Sequence, residues 1–230
     1  MTPWCEGPLS ALAVRSGSPE PEPGAEQHRD AESDRLTAAA LVTQQAPHAP
    51  VEVRSWTVRE GSSAGPVVHA LARALTGGPA GGRPLAVAHA PYDLTLLDRE
   101  LRRLRHTTLA ACLGTRSLCV LDPVLLDRRL NRTGAPSDHG TLGRLCDHYG
   151  VSPAPVAAGP PEDDAVASLA LVRALGRHYA PQLAGLSPYA LHTLQAVWYA
   201  AAARGHAAWF ASSGTPGRVD RTWPLRPTAA

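Results

Sequence analysis

Pro84-Leu-Ala-Val-Ala-His-Ala-Pro-Tyr-Asp-Leu-Thr-Leu-Leu-Asp-Arg-Glu-Leu-Arg-Arg103 is the stretch whose reading decides the fold. Its first part, Leu85 to Ala90, is an apolar run of the length of a buried strand. Beyond that run the period changes: Leu94, Leu97, Leu101 and Leu104 recur at helical spacing, which predicts a helix with one apolar face and sends Asp98, Arg99, Glu100, Arg102 and Arg103 towards water. Asp93 stands at the junction. A carboxylate there has two readings, a cap for the helix or a metal ligand at the edge of the sheet.

Outward from this unit the chain alternates strands and helices. Leu9 to Val14 is a short apolar run that fits a first buried strand, closed by Arg15. Residues 16–34 mix Pro, Gly, Glu and Asp in proportions that bury too little apolar surface to fold alone, so a solvated acidic loop is expected. Leu36 to Gln44 and Val51 to Val58, separated by Pro47 and Pro50, predict a hairpin extending the sheet. Gly65 to Leu75 predicts a helix ending at Gly77-Gly78. After the central unit, Ser117 to Leu121 is the last strand candidate. Helical patterns then cover Pro123 to Leu130, Thr141 to Tyr149, Asp163 to Tyr179, and Pro188 to Phe210, the last with Leu191, Leu194, Val197 and Trp198 on one stripe. His148, at a helix end, reads as structural.

At 230 residues and 44% hydrophobic, the chain can bury one substantial core. A net charge of +2 does not mark a polyanion binder, so charge leaves the partner open. The sequence contains no lysine, and a phosphate-binding P-loop, which needs one, is excluded. Cys5, Cys112, Cys119 and Cys146 form no Cys-x-x-Cys pair, so neither a zinc ribbon nor a dithiol motif is indicated and reduced thiols are expected. No apolar run reaches membrane-spanning length and the start lacks an export pattern, which points to the cytoplasm and to no membrane partner.

Three phrases carry a family likeness: Ala90-Pro91-Tyr92-Asp93-Leu94-Thr95-Leu96-Leu97, Leu121-Asp122-Pro123, and Leu142 to Val151 with His148-Tyr149-Gly150. Together they resemble the DnaQ-like 3′-to-5′ exonucleases of the DEDDh group. The tail, from Leu186-Ser187-Pro188 to Trp223-Pro224-Leu225-Arg226-Pro227, is similar to an actinobacterial subgroup of them. The resemblance implies an α/β fold with a ribonuclease-H-like mixed sheet, three antiparallel strands then two parallel, flanked by helices. It implies an exonuclease-like domain over residues 1–182 and a C-terminal helix and tail over 183–230 packed on it.

The resemblance also implies a chemistry. Such enzymes hold two Mg²⁺ or Mn²⁺ ions, about 4 Å apart, on four carboxylates, and a histidine activates the attacking water. In the family the first strand supplies an Asp-x-Glu pair, which strand alternation places on one face. Here the matching positions are Ala13 and Arg15. Asp93 matches the second motif, with His89 where an asparagine is usual, and His89 and Tyr92 are the residues expected to contact nucleic acid. In the third motif Asp164 is kept, while Gly159 stands at the histidine position. The family's His-Gly turn, which helps hold the 3′ end, has no counterpart. Metal binding on Asp93 and Asp164 is therefore expected to be weak or absent. Arg15 should project towards Asp93 and Asp164, its guanidinium replacing the metal's charge, unless it points to solvent from a frayed strand.

These readings leave three functions as expectations: a weak exonuclease acting on 3′ ends, a non-catalytic module that binds single-stranded ends, or a protein-interaction paralogue docking through its C-terminal helix and Trp223.

Overall fold

The computed structural model describes residues 3–17, 30–77, 80–131, 141–152, 159–213 and 219–227. Its centre is β1 (Leu9–Gly17), whose alternating side chains enter two cores. Leu12 and Val14 join one cluster, and Ala11 and Ala13 join the other on the opposite face of the sheet. A strand covered on both faces reads as a continuous apolar run rather than an alternating one, which is why Leu9 to Val14 looks as it does. The strand continues past Arg15 to Gly17, with a bulge between Arg15 and Ser16, because pairing with the next strand carries it on.

That neighbour is β2 (Arg35–Gln44), antiparallel to β1, and β3 (Glu52–Thr57) pairs antiparallel with β2 in turn. The helix α1 (Gly65–Thr76) leads to β4 (Leu85–Ala86), which lies parallel to β1. Next come α2 (Ala90–Arg105) and α3 (Leu109–Leu113), and β5 (Val120–Leu121) lies parallel to β4. The sheet order is β3-β2-β1-β4-β5, three antiparallel strands followed by two parallel ones. This is the α/β, ribonuclease-H-like arrangement that the sequence leads one to expect. The helices α4 (Pro123–Leu130), α5 (Leu142–Tyr149), α6 (Pro161–His178), α7 (Ala180–Leu183) and α8 (Pro188–Ser213) complete the chain. Residues of α1, α2 and α3 build the core on one face of the sheet, and those of α4, α5 and α6 the core on the other.

Three expectations need correction. The strand before α2 is two residues long rather than six, because His89 turns left-handed (φ 57°) and the helix starts at Ala90. The polar face of α2 is solvated only in part: Arg102 is exposed as expected and Arg103 half-buried, but Asp98, Arg99 and Glu100 are buried, while Leu104 on the apolar stripe is exposed. The cover comes from distant segments. Arg99 donates to both carboxylate oxygens of Glu32 and to the carbonyls of Arg226 and Pro227, and Arg103 donates to the carbonyls of Glu32 and Asp34. Residues 30–34, expected in a solvated loop, therefore pack on α2, with Ala31 and Asp34 buried; residues 18–29 of that loop lie outside the described residues.

The third correction concerns α8. Of the expected stripe Leu191 is fully buried and Trp198 packs against the core, but Val197 is 56% exposed, and the inward face also carries Gln195, fully buried. Gln195 donates through Nε2 to the carbonyls of Val120 and Leu191 and accepts the Asp122 amide on Oε1. His192 accepts the Val120 amide on Nδ1. Side chains of α8 thus satisfy the outer edge of β5, which a further strand would otherwise need to cover. No helix among the described residues is long and apolar enough to cross a membrane.

Candidate functional site

Arg15 leaves β1 on the face that carries Ala13, the face covered by α6. The first turn of α6 holds Glu162, Asp163 and Asp164, acids that the positive end of a helix favours. The Arg15 guanidinium reaches this turn. Its Nη1 lies 2.5 Å from Asp164 Oδ2, and its Nε donates to the Gly159 carbonyl at 2.8 Å. One side chain thereby ties three of the positions singled out in the sequence: the second member of the first-strand pair, the place of the base, and the surviving third-motif carboxylate. The two charged side chains are 20% and 25% exposed, so solvent screens the pair and its stabilisation is worth about 1 kcal/mol. Ala13 packs its methyl in the core beside α6, 5% exposed.

Asp93 and its neighbours lie at the start of α2, where the Tyr92 hydroxyl meets Ser16, the residue after Arg15. Asp93 is 7% exposed in the first turn of α2, three residues inside the helix, so it is not the N-cap. The first amide of that helix, from Ala90, is accepted instead by Asp122 Oδ2 at 3.0 Å. Asp122 also caps α4, its Oδ1 accepting from Val124 and Leu125. One buried carboxylate thus fixes two helix starts where β4 and β5 end. Burial pushes the Asp122 carboxyl above its ordinary pKa, against the pull of His89 and of the three amide donors. Sequence reading assigned no role to Asp122, although Asp followed by Pro is the signature of an N-cap with proline at the first helical position.

Tyr92 is placed differently from the expectation that it grips nucleic acid. Its ring is 8% exposed in the core, and its hydroxyl donates to Asp34 Oδ2 at 2.5 Å while Ser16 Oγ donates to it. Such a ring offers no face to a base. His89 is half-buried in the left-handed conformation before α2 and interacts electrostatically with Asp122. His148 is exposed at the end of α5, edge-on to the Tyr149 ring, as a helix-end residue should be.

Paired divalent ions require hard oxygen donors converging from several elements. Among the described residues no group of three or more His, Cys, Asp or Glu side chains is placed to hold a metal ion. Of the four family positions, Ala13 and Arg15 carry no ligand oxygen, and Asp164 is already paired with a guanidinium. The donor set does not fit two divalent ions. Gly159, at the position of the base, has no side chain to take a proton.

A further motif escapes the family likeness. Gly61-Ser62-Ser63-Ala64-Gly65 has the letters of a nucleophile elbow, G-x-S-x-G. The structure does not support that chemistry: the segment is no sharp strand-to-helix turn, and the hydrogen bond of Ser63 Oγ is from the Gly65 amide at the start of α1, with no histidine involved.

No protein-family model matches this chain, and no curated protein matches it either.

Proposed function

We propose that this chain is a DnaQ-like, 3′-to-5′ exonuclease-type protein that binds single-stranded 3′ ends of nucleic acid and whose catalysis is lost or strongly impaired. One observation carries the reading: the Arg15 guanidinium occupies Asp164 and the Gly159 carbonyl, putting a fixed positive charge where the family's chemistry calls for divalent cations. Losing several members of a catalytic unit leaves little residual rate, because the members act together. Mg²⁺ or Mn²⁺ binding at Asp93 and Asp164 is accordingly weak or absent. The sheet order and the likeness around Asp93 support the family, and four free cysteines fit a cytoplasmic setting. Burial raises the Cys119 thiol to about 12 and the Cys146 thiol to about 11, so both stay protonated and unreactive. Docking through Trp223 finds less support, since that side chain is 8% exposed and lies against His192 in the chain's own core.

The test uses a 3′-labelled single-stranded oligonucleotide with Mn²⁺, for the native protein and for Asp93→Asn. The expected result is salt-sensitive binding without release of the label from either protein. Release by the native protein that disappears in Asp93→Asn overturns the loss of catalysis, and absence of binding at low salt overturns the nucleic-acid reading.

A further inference from the structure

A second feature lies on the other face of the sheet from the Arg15–Asp164 pair. Between β3 and α1 runs an open groove of about 450 Å³ lined by Arg54, His69, Ala70, Arg73, Ala74 and Gly77. Its face is set by the register. Arg54 is paired with Leu41 and Leu41 with Leu12, and Leu41 and Leu12 belong to the core under α1 and α2, whereas Ala13 belongs to the core under α6. Small residues open the space: Ala70 and Ala74 stand one turn apart on α1, and Gly77 ends that helix without a side chain. The rim is cationic, since His69 and Arg73 are likewise one turn apart on α1 and face Arg54 on the edge strand.

The lining includes no carboxylate, and neither guanidinium makes an ion pair with any described residue. Arg15, Arg99, Arg102, Arg103 and Arg177, by contrast, all do. Glu52, two residues before Arg54 on β3, accepts the Thr43 hydroxyl at 3.2 Å. Arg54 lies 5.3 Å from the centre of the half-buried Trp56 ring, so a guanidinium and an indole are stacked beside the groove. Unpaired arginines that line a groove, with an aromatic face beside them, are the combination by which proteins hold single strands: phosphates meet the cations and a base meets the ring.

The geometry points to the β3–α1 groove as a binding site for the phosphodiester backbone of single-stranded nucleic acid, with Arg54 and Arg73 on phosphates and Trp56 beside a base. This goes beyond the 3′-end reading and is separate from it, because a strand without a free end serves equally well. A circular single-stranded DNA is therefore the probe. Fluorescence anisotropy tracks its binding to the full-length protein, to R54Q/R73Q, and to R128Q/R204Q, which removes the same charge from exposed positions elsewhere. Circular dichroism checks that each is folded.

The site predicts that R54Q/R73Q binds roughly tenfold more weakly, with a salt slope lower by about 1.4 for two lost phosphate contacts, and that R128Q/R204Q binds like the native protein. Binding should also quench tryptophan emission in the native protein, but not after Trp56→Leu. Unchanged binding by R54Q/R73Q, or equal weakening by both double variants, overturns the proposal. So does displacement of the circle by inorganic pyrophosphate at matched phosphate concentration, because it would identify a small-phosphate site. Loss in R54Q/R73Q of binding to the linear 3′-labelled strand as well as to the circle would sink the 3′-end reading and leave the groove standing, whereas binding of the linear strand alone by that variant keeps both.

Discussion

Arg15 is the residue on which the site turns. Strand alternation alone puts it on the face of Ala13, towards the third-motif carboxylate, and the ion pair with Asp164 is where that periodicity leads. The pair makes a specific prediction about charge. Ala13→Asp with Arg15→Glu exchanges a methyl and a cation for two carboxylates beside Asp164, in a region where Ala13 is 5% exposed. Unpaired acids there are costly, so the double variant should be less stable than the native protein without metal, and Mn²⁺ should restore part of the loss. Calorimetric titration with Mn²⁺ and thermal unfolding in its presence check this. A variant that binds Mn²⁺ no better than the native chain would end the idea that a guanidinium has taken the place of a metal. Other residues at the same junction are hidden from sequence reasoning. Asp122 and Tyr92 owe their roles to partners 32 and 58 positions away, and no local period reports an acceptor that remote.

Among the elements, α8 shows best how polar groups mislead a search for periodicity. A stripe of Leu191, Leu194, Val197 and Trp198 fits helical spacing, and Leu191 and Trp198 do pack on the core, yet Val197 is exposed and the polar side chains of His192 and Gln195 dock the helix as well, since β5 presents unpaired backbone there. Hydrophobicity scores cannot see an amide that substitutes for a strand. His192 adds a dependence on pH. Burial lowers its pKa from 6.5, and its Nδ1 can accept the Val120 amide only while unprotonated, so the folded chain holds the neutral ring. The unfolded chain then binds more protons than the folded one at pH values below the ordinary histidine range, so stability falls as pH drops through about 6.5 and is fully present above it. Thermal unfolding between neutral and mildly acidic pH should show this decline, and His192→Gln, which keeps an acceptor without a titrating group, should flatten it. Identical pH profiles for the two proteins would remove His192 as the cause.

At the scale of the whole molecule, the sheet order is legible because each strand carries its own apolar pattern, whereas the cover over α2 is not, because it is assembled from two segments far from it in sequence. Arg99 is the clasp. Its guanidinium, 5% exposed, joins Asp98 on its own helix, Glu32 from the segment after β1, and the carbonyls of Arg226 and Pro227 near the C-terminus. The Glu32 hydrogen bonds hold Arg99 above its already high pKa, so the positive charge of the clasp is permanent. Only the planar fork fits this arrangement, since at least four oxygens must be reached from one group. Arg99→Gln keeps some hydrogen-bonding capacity but leaves the Asp98 carboxylate, 1% exposed, with only Arg102 as its cationic partner. Removing one partner of a buried ionic network costs about 3 kcal/mol, and denaturant unfolding should report a loss of that order. The released tail gives an independent readout. The Arg226 amide is bonded to Thr95 Oγ1, and Trp223 packs against His192. Trypsin should therefore cut after Arg221 faster in the variant than in the native protein while the sheet stays folded, whereas Arg226, followed by Pro227, is no trypsin site. Equal cleavage rates, with an unfolding midpoint unmoved, would mean that Trp223 packing and the Thr95 hydrogen bond hold the tail and that Arg99 joins these segments without fastening them.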